Sequence, residues 1–329
     1  MTRVLALAVF AALAALAISL TLGVRAVPAS AIPEAFFAFD PQNADHVVIR
    51  ELRLPRALAA LLGGGALGLA GALMQTMTRN PLADPGLLGI NGGASFGVVL
   101  GIWGLGLVAP GALAVPAIIG AAVAAVLVLL LGGAAGRRGP DPIRLVLAGA
   151  ALSALFLALS WALLIAARQT LDVYRFWVLG GFQGIEFAQI AALAPLFAAG
   201  LVFAAIAAKM LGPLALGDDT ARALGVRIGV VRLVSALAIV LLCGATVSMA
   251  GPIAFIGLLV PHLVRPLARS DTRLLALGSL ATGAALALAA DTLGRVILPG
   301  QEVEAGAMMA LIGGPALIAF VYRRREVAL

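Results

Sequence analysis

Apolar residues run along this chain in long unbroken blocks, unlike the alternation of a half-buried strand or the single stripe of a soluble helix. A helix needs roughly 20 mostly apolar residues to cross a hydrocarbon core about 30 Å thick. Ten blocks between charges and Pro or Gly breaks have that character: 4–24, 55–77, 86–107, 111–133, 145–167, 187–209, 229–249, 250–267, 274–294 and 305–322. The eighth is short and is interrupted by Gly251, Pro252 and Pro261, and only a few residues around Pro110 part the third from the fourth. The apolar stretch of the first block is longer than the roughly 7–15 residues of a signal-peptide core, so it predicts a retained helix. The pattern predicts an all-α polytopic membrane protein with about ten transmembrane helices. Loops are short and no linker intervenes, so residues 1–329 form a single transmembrane domain.

Composition supports lipid as the solvent. Of 329 residues 63% are hydrophobic and 11% charged, where soluble domains carry about 25% charged residues. The 39 glycines fit helices that approach closely through small side chains. Cys243 is the single cysteine, which excludes an intrachain disulfide and a cysteine-rich metal site. The net charge of +7 is explained by where the charges fall. With both termini cytoplasmic, the inner segments hold fifteen of the 22 basic residues, among them Arg3, Arg79, Arg137, Arg138, Arg144, Lys209, Arg232, Arg273 and Arg323. The outer segments keep Arg25, Arg50, Arg53, Arg56, Arg168, Arg175 and Arg295. That asymmetry follows the positive-inside rule and needs no nucleic acid.

Several chemistries are excluded. Lys209 is the only lysine, and no phosphate-cradling G-x-x-x-x-G-K-[ST] surrounds it. His46 and His262 lie far apart without partners at metal-ligand spacing, and His262 reads as a satisfied helix-end histidine. No metal site, bound cofactor or hydrolase motif is expected. Secondary transporters usually carry ionisable groups within the membrane, and the central stretches here are nearly free of them. Asp291 reads as a local i,i+4 partner of Arg295, and Glu186 as a charge at a helix N-terminus. The energy for transport is therefore expected from another subunit, the rival being an ATP-independent secondary transporter or channel.

Three segments suggest function. Arg50-Glu51-Leu52-Arg53-Leu54-Pro55-Arg56 sets three arginines on an otherwise acidic face, either as lipid anchors or as a docking point for an acidic periplasmic partner. Thr78–Gly93 carries Pro81, Pro85 and a Gly-rich helix start, a tight turn or a cytoplasmic gate. Gly217–Val226, within the longest cytoplasmic loop at 211–228, predicts a short amphipathic helix capped by Asp218 or Asp219 and closed by Gly225.

The chain resembles the FecCD-type permeases, the membrane subunits of ABC importers for ferric siderophores, haem and cobalamin. The resemblance runs from about residue 45 to 325 through R-L-P-R at 53–56, G-A-L-M-Q-T-M-T-R-N-P-L-A-D-P-G-L-L-G at 71–89 and R-L-V-L-A-G at 144–149. It continues through G-D-D-T-A-R-A-L-G-V at 217–226, G-P-I-A-F-I-G-L-L-V-P-H-L-V-R at 251–265 and A-L-I-G-G-P at 310–315. It implies ten helices, a second permease subunit (identical or related), two separate ATPase subunits that use ATP and Mg, and a periplasmic binding protein, in the bacterial inner membrane. It assigns Arg53, Arg56 and Arg295 to binding-protein docking, and Asp218, Asp219, Arg222, Leu224 and Gly225 to ATPase coupling. Asn80, Pro81, Leu82, Pro142 and Ile143 would form the cytoplasmic end of the path. The outer loop 298–306 departs from the family pattern at Glu302-Val303-Glu304.

For the cargo, Asp172–Trp177 places a cation and aromatics at an outer mouth: Tyr174, Arg175, Phe176 and Trp177. An interfacial aromatic belt accounts equally for Tyr174 and Trp177. The run is similar to that of permeases for ferric catecholate or related siderophores, with haem second and cobalamin third.

Overall fold

The computed structural model describes residues 2–327 apart from 26, 134–139, 215–216 and 270; Arg137 and Arg138 lie outside it. Each of the ten apolar blocks is a helix: α1 (Thr2–Thr21), α4 (Leu54–Thr78), α5 (Ile90–Leu105), α6 (Ala114–Leu131), α7 (Pro142–Ala166), α9 (Phe187–Leu214), α11 (Ile228–Ala250), α12 (Ile256–Ala268), α13 (Thr272–Val296) and α14 (Ala305–Val327). The short helices between them are α2 (Ala31–Phe37), α3 (Ala44–Val47), α8 (Arg168–Leu179) and α10 (Asp218–Ala223). Among the described residues six helices are long and apolar enough to cross a membrane: Ala44–Thr78, Gly111–Leu131, Pro142–Ala166, Phe187–Leu214, Ile228–Ala250 and Thr272–Val296. Four shorter apolar helices accompany them.

The interrupted eighth block is shorter as a helix than the sequence suggested. Gly251 takes φ +70° and Pro252 follows it, so α11 stops at Ala250 and α12 begins only at Ile256. Thirteen residues span roughly 20 Å at 1.5 Å each. The irregular stretch between is covered by protein, as backbone away from water requires: Gly181 donates its N–H to the Ala250 carbonyl at 2.8 Å.

α4 is the axis of the bundle. Twenty of its 25 residues are buried, and it packs against α13, α11, α12 and α9. Its most extensive contact is with α13, where Gly64 faces the Gly283 carbonyl and Gly68 the Ser279 carbonyl. A Cβ at either glycine would overlap backbone, so the small residues set how closely the helices approach. α7 instead turns Leu147, Leu155, Leu157, Trp161 and Ile165 outward, as a helix facing lipid or another subunit does.

Candidate functional sites at the two ends of the bundle

One end brings Arg53, Arg56 and Arg295 together. Pro55 opens α4 directly after the π-helical stretch Val48–Arg53, which runs on from α3 without a break and already interrupts the regular hydrogen-bond ladder where the proline lacks its N–H, and this start holds Arg56 over the end of α13. Arg56 Nε donates to both oxygens of Asp291 at 2.9 and 3.1 Å, while Nη1 reaches Glu302 Oε2 at 2.7 Å. Arg295 Nη2 meets Asp291 Oδ2 at 3.1 Å and donates to Ser19 Oγ at 2.6 Å. Arg295 also donates to the Asp291 carbonyl and Thr292 Oγ1 of its own helix, while its Nη1 and all of Arg53 serve the end of α1. Arg295 Nη1 donates to the carbonyls of Ser19 and Leu22, and Arg53 to those of Leu20, Thr21 and Arg25. A helix leaves its last carbonyls without intrahelical donors, and a cation there also opposes the negative pole of the dipole.

This geometry changes how the three arginines expected to serve docking are presented. Arg53, Arg56 and Arg295 are 6%, 8% and 3% exposed, so they form no projecting basic patch. They line a cavity of about 820 Å³ together with Arg25, Glu51, Glu186 and Glu302. The local Asp291–Arg295 pair exists, but Asp291 is wholly buried and shared with Arg56, 235 residues away. Sequence reading missed that third member; the available signal was a carboxylate near the end of an otherwise apolar helix, which requires full compensation.

Beside the arginine cavity lies a second one, of about 570 Å³. Its wall is made where three chain breaks meet: Gly180 after α8, Gly251 after α11 and Glu304 before α14. Gly306 donates its N–H to the Gly180 carbonyl at 2.8 Å, and Gly180, at φ +69°, lies against the Pro252 carbonyl. Arg175, Phe176 and Trp177 line this cavity, with Asp172, Gln189, Ser248 and Glu304. Tyr174 does not. With Thr170, one turn earlier, it forms the buried face of α8 against α5, and burial pushes its hydroxyl above the usual phenol range despite a hydrogen bond with Ser95. Glu304 is likewise pushed up by burial, the cation Arg56 opposing and Asp291 and Glu302 reinforcing.

The opposite end carries the predicted gate and coupling segments. Arg79 takes the left-handed conformation (φ 52°) and ends α4; Asn80 Oδ1 then accepts the Leu82 N–H at 2.9 Å. Asp84 caps the Pro85–Leu88 turn through the Gly86 N–H at 2.7 Å, and burial drives its carboxyl up against that bond. This turn packs on α7. Pro142 and Ile143 start α7, capped by Asp141, whose Oδ1 accepts from Ile143 and Arg144. The sequence expected Asp218 or Asp219 to cap α10, but the N-cap is Gly217, which makes no side-chain bond, and both aspartates sit in the first turn. Gly225 closes the helix at φ +77°, as expected, and Leu224 is exposed. Freed from capping, Asp218 accepts from Arg79 Nη2 and Arg232 Nη2, each at 2.8 Å, while Asp219 accepts from Arg222 at 2.8 Å. One carboxylate thus joins the turn after α4, the helix α10 and the base of α11. His262 is buried within α12, its Nδ1 2.8 Å from the Leu258 carbonyl and its ring edge-on to Phe320.

The profile of the FecCD transport family matches residues 11–323. The ferric enterobactin transport system permease protein FepD of Escherichia coli is 44% identical over 313 residues, covering 94% of this chain and 92% of the relative. The probable siderophore transport system permease protein YfiZ of Bacillus subtilis is 40% identical, covering 99% and 96%. A solved inward-facing conformation of a metal-chelate type ABC transporter superposes with a TM-score of 0.80 at 26% identity, over 98% of this chain and 100% of that one.

Proposed function

This chain belongs to the FecCD transport family, and from that premise we propose that it is the permease subunit of a binding-protein-dependent ABC importer that moves a ferric siderophore across the bacterial inner membrane. Ten helices cross the bilayer with both termini in the cytoplasm, a second permease subunit completes the path, and two partner ATPases use ATP and Mg. The single observation that carries the reading is the family match over nearly the whole chain.

The arginine end faces the periplasm. A binding protein docks over the cavity lined by Arg53, Arg56 and Arg295, and an acidic side chain entering it competes with Glu302 for Arg56. Cargo passes to the neighbouring cavity beside Arg175, Phe176 and Trp177. At the cytoplasmic end α10 seats on the ATPase through Leu224 and its polar face. Closure of the ATPase dimer displaces α10, and Asp218 carries the displacement to Arg79, hence to the Asn80-Pro81-Leu82 turn and its neighbour at Pro142-Ile143. The permease contributes two conformations that ligand and nucleotide bias in turn.

The test is uptake into proteoliposomes holding the permease, its ATPase and its binding protein, offered ferric siderophore, haem or cobalamin. Siderophore uptake that requires both ATP and binding protein supports the reading. Uptake that persists without either contradicts it, and selective uptake of haem or cobalamin reassigns the cargo.

A further inference from the structure

The cavity beside α8 contains polar groups that the packing of the bundle leaves without partners. Glu304 precedes α14, and its carboxylate lies so close to Gly181 that a side chain there would overlap it. Arg56, whose charge reaches Glu304, is hydrogen-bonded to Asp291 and Glu302 instead. No hydrogen bond or ion pair to a described residue holds the Glu304 carboxylate. Its backbone carbonyl accepts the Met308 N–H at 3.0 Å in the first turn of α14, but its side chain caps nothing there. On the same wall Ser248 is 2% exposed, and its hydroxyl has no hydrogen-bond partner among the described residues.

A half-buried carboxylate without a protein partner is costly unless something that enters the cavity completes it. The charge on the lining says what that is. Asp172 and Arg175 lie 3.5 Å apart and offset one another, which leaves Glu304 as the surplus charge. Two carboxylates against one guanidinium favour a ligand that donates hydrogen bonds or carries positive charge, and they oppose a polyanion. Phe176 and Trp177 supply an apolar face to the same space.

We propose that Glu304, with Ser248 beside it, is a recognition point for ferric chelates of neutral or positive charge that donate hydrogen bonds, such as a trihydroxamate bearing a free amine, and that it disfavours polyanionic tris-catecholates. This rests on the siderophore-permease reading above and narrows its substrate class.

The experiment compares two probes, an amine-bearing ferric trihydroxamate and a ferric tris-catecholate, in proteoliposomes of the complete importer. The trihydroxamate-to-catecholate uptake ratio is measured for wild type, Glu304→Gln, Glu304→Asp and Ser248→Ala. One binding protein delivers both probes to all variants, so its own preference cancels in the change of ratio. Losing one charge-assisted hydrogen bond should lower the ratio about tenfold in Glu304→Gln. Glu304→Asp should retain most of it, and Ser248→Ala should lower it less than Glu304→Gln does. A ratio unchanged by Glu304→Gln overturns the proposal. So does an equal fall for both probes in a complex that still assembles, which would make Glu304 part of the gating machinery while the importer reading stands. If wild type takes up neither probe while it imports haem or cobalamin, the siderophore reading falls and the proposal with it.

Discussion

Two carboxylates organise the two ends of this molecule in opposite ways. Asp291 is wholly buried and held by Arg56 and Arg295, which in turn fasten α4, α13 and the end of α1. Asp218 has 23% of its side chain in water, and the arginines it joins, Arg79 and Arg232, belong to a turn and a helix base. A buried charge must be fully compensated, so its removal is costly and its geometry rigid. The Asp218–Arg79 pair, with 46% of the arginine side chain in water, is cheap to break and re-form because water takes the place of either partner, while Arg232, 11% exposed, keeps Asp218 on α11. The first arrangement suits a fixed frame, the second a joint able to move; in the function proposed above these become the rim of the docking cavity and the link to the ATPase.

The comparison can be broken most severely at Asp291. Asp291→Ala leaves two buried guanidinium groups without their shared anion, and a loss of about 3–5 kcal/mol is expected; thermal unfolding of the purified variant in detergent should show a much lower midpoint or no folded protein. Ser19→Ala tests the same frame more gently. It removes one hydrogen bond to a buried cation, worth about 1.5–3 kcal/mol, and its midpoint should fall between wild type and Asp291→Ala.

Asp218→Asn keeps an oxygen that can accept from the mostly buried Arg232, so it should cost about 1 kcal/mol, well below the loss in Asp291→Ala, yet it should uncouple the cycle. The matching measurement is thermal unfolding alongside ATPase activity of the assembled complex. A large stability loss would mean that Asp218 belongs to a frame like that of Asp291.

The smallest expected effect is on pH dependence at Glu304. Burial raises its carboxyl, so the folded chain binds that proton more tightly than the unfolded chain does. Its contribution to stability is therefore complete below the ordinary Glu value and is lost as pH rises through the raised one. Glu304→Gln does not titrate, so its unfolding midpoint should gain on wild type as pH rises above the ordinary Glu range of about 4. An unchanged difference over that rise would show that the carboxyl is not raised.

Much of the frame was legible from apolar blocks alone, because a helix in lipid must be long and apolar whatever it packs against. Every block became a helix, and the one with Gly251, Pro252 and Pro261 inside it was the one that started latest. Where a side chain points was less legible. Tyr174 lies on the buried face of α8 while its neighbours Arg175 and Phe176 face outward, and nothing local to the run says which face meets α5. The arginines at 53 and 56 read as a docking patch because their partners, Asp291, Glu302 and the carbonyls ending α1, lie far away in sequence. Asp218 looked like a helix cap for the same reason: Arg79 is 139 residues distant. Short-range pattern gives the elements, and long-range charge pairing, which no periodicity encodes, gives the sites.

The most direct test of the account is siderophore uptake per ATP hydrolysed, measured in proteoliposomes of the whole importer for wild type and Asp218→Asn side by side. Wild-type uptake should require ATP and binding protein, and Asp218→Asn should hydrolyse ATP while its uptake per ATP falls about tenfold, the scale of a typical coupling free energy. Equal uptake per ATP in the two proteins, or wild-type uptake that continues without ATP, would contradict it.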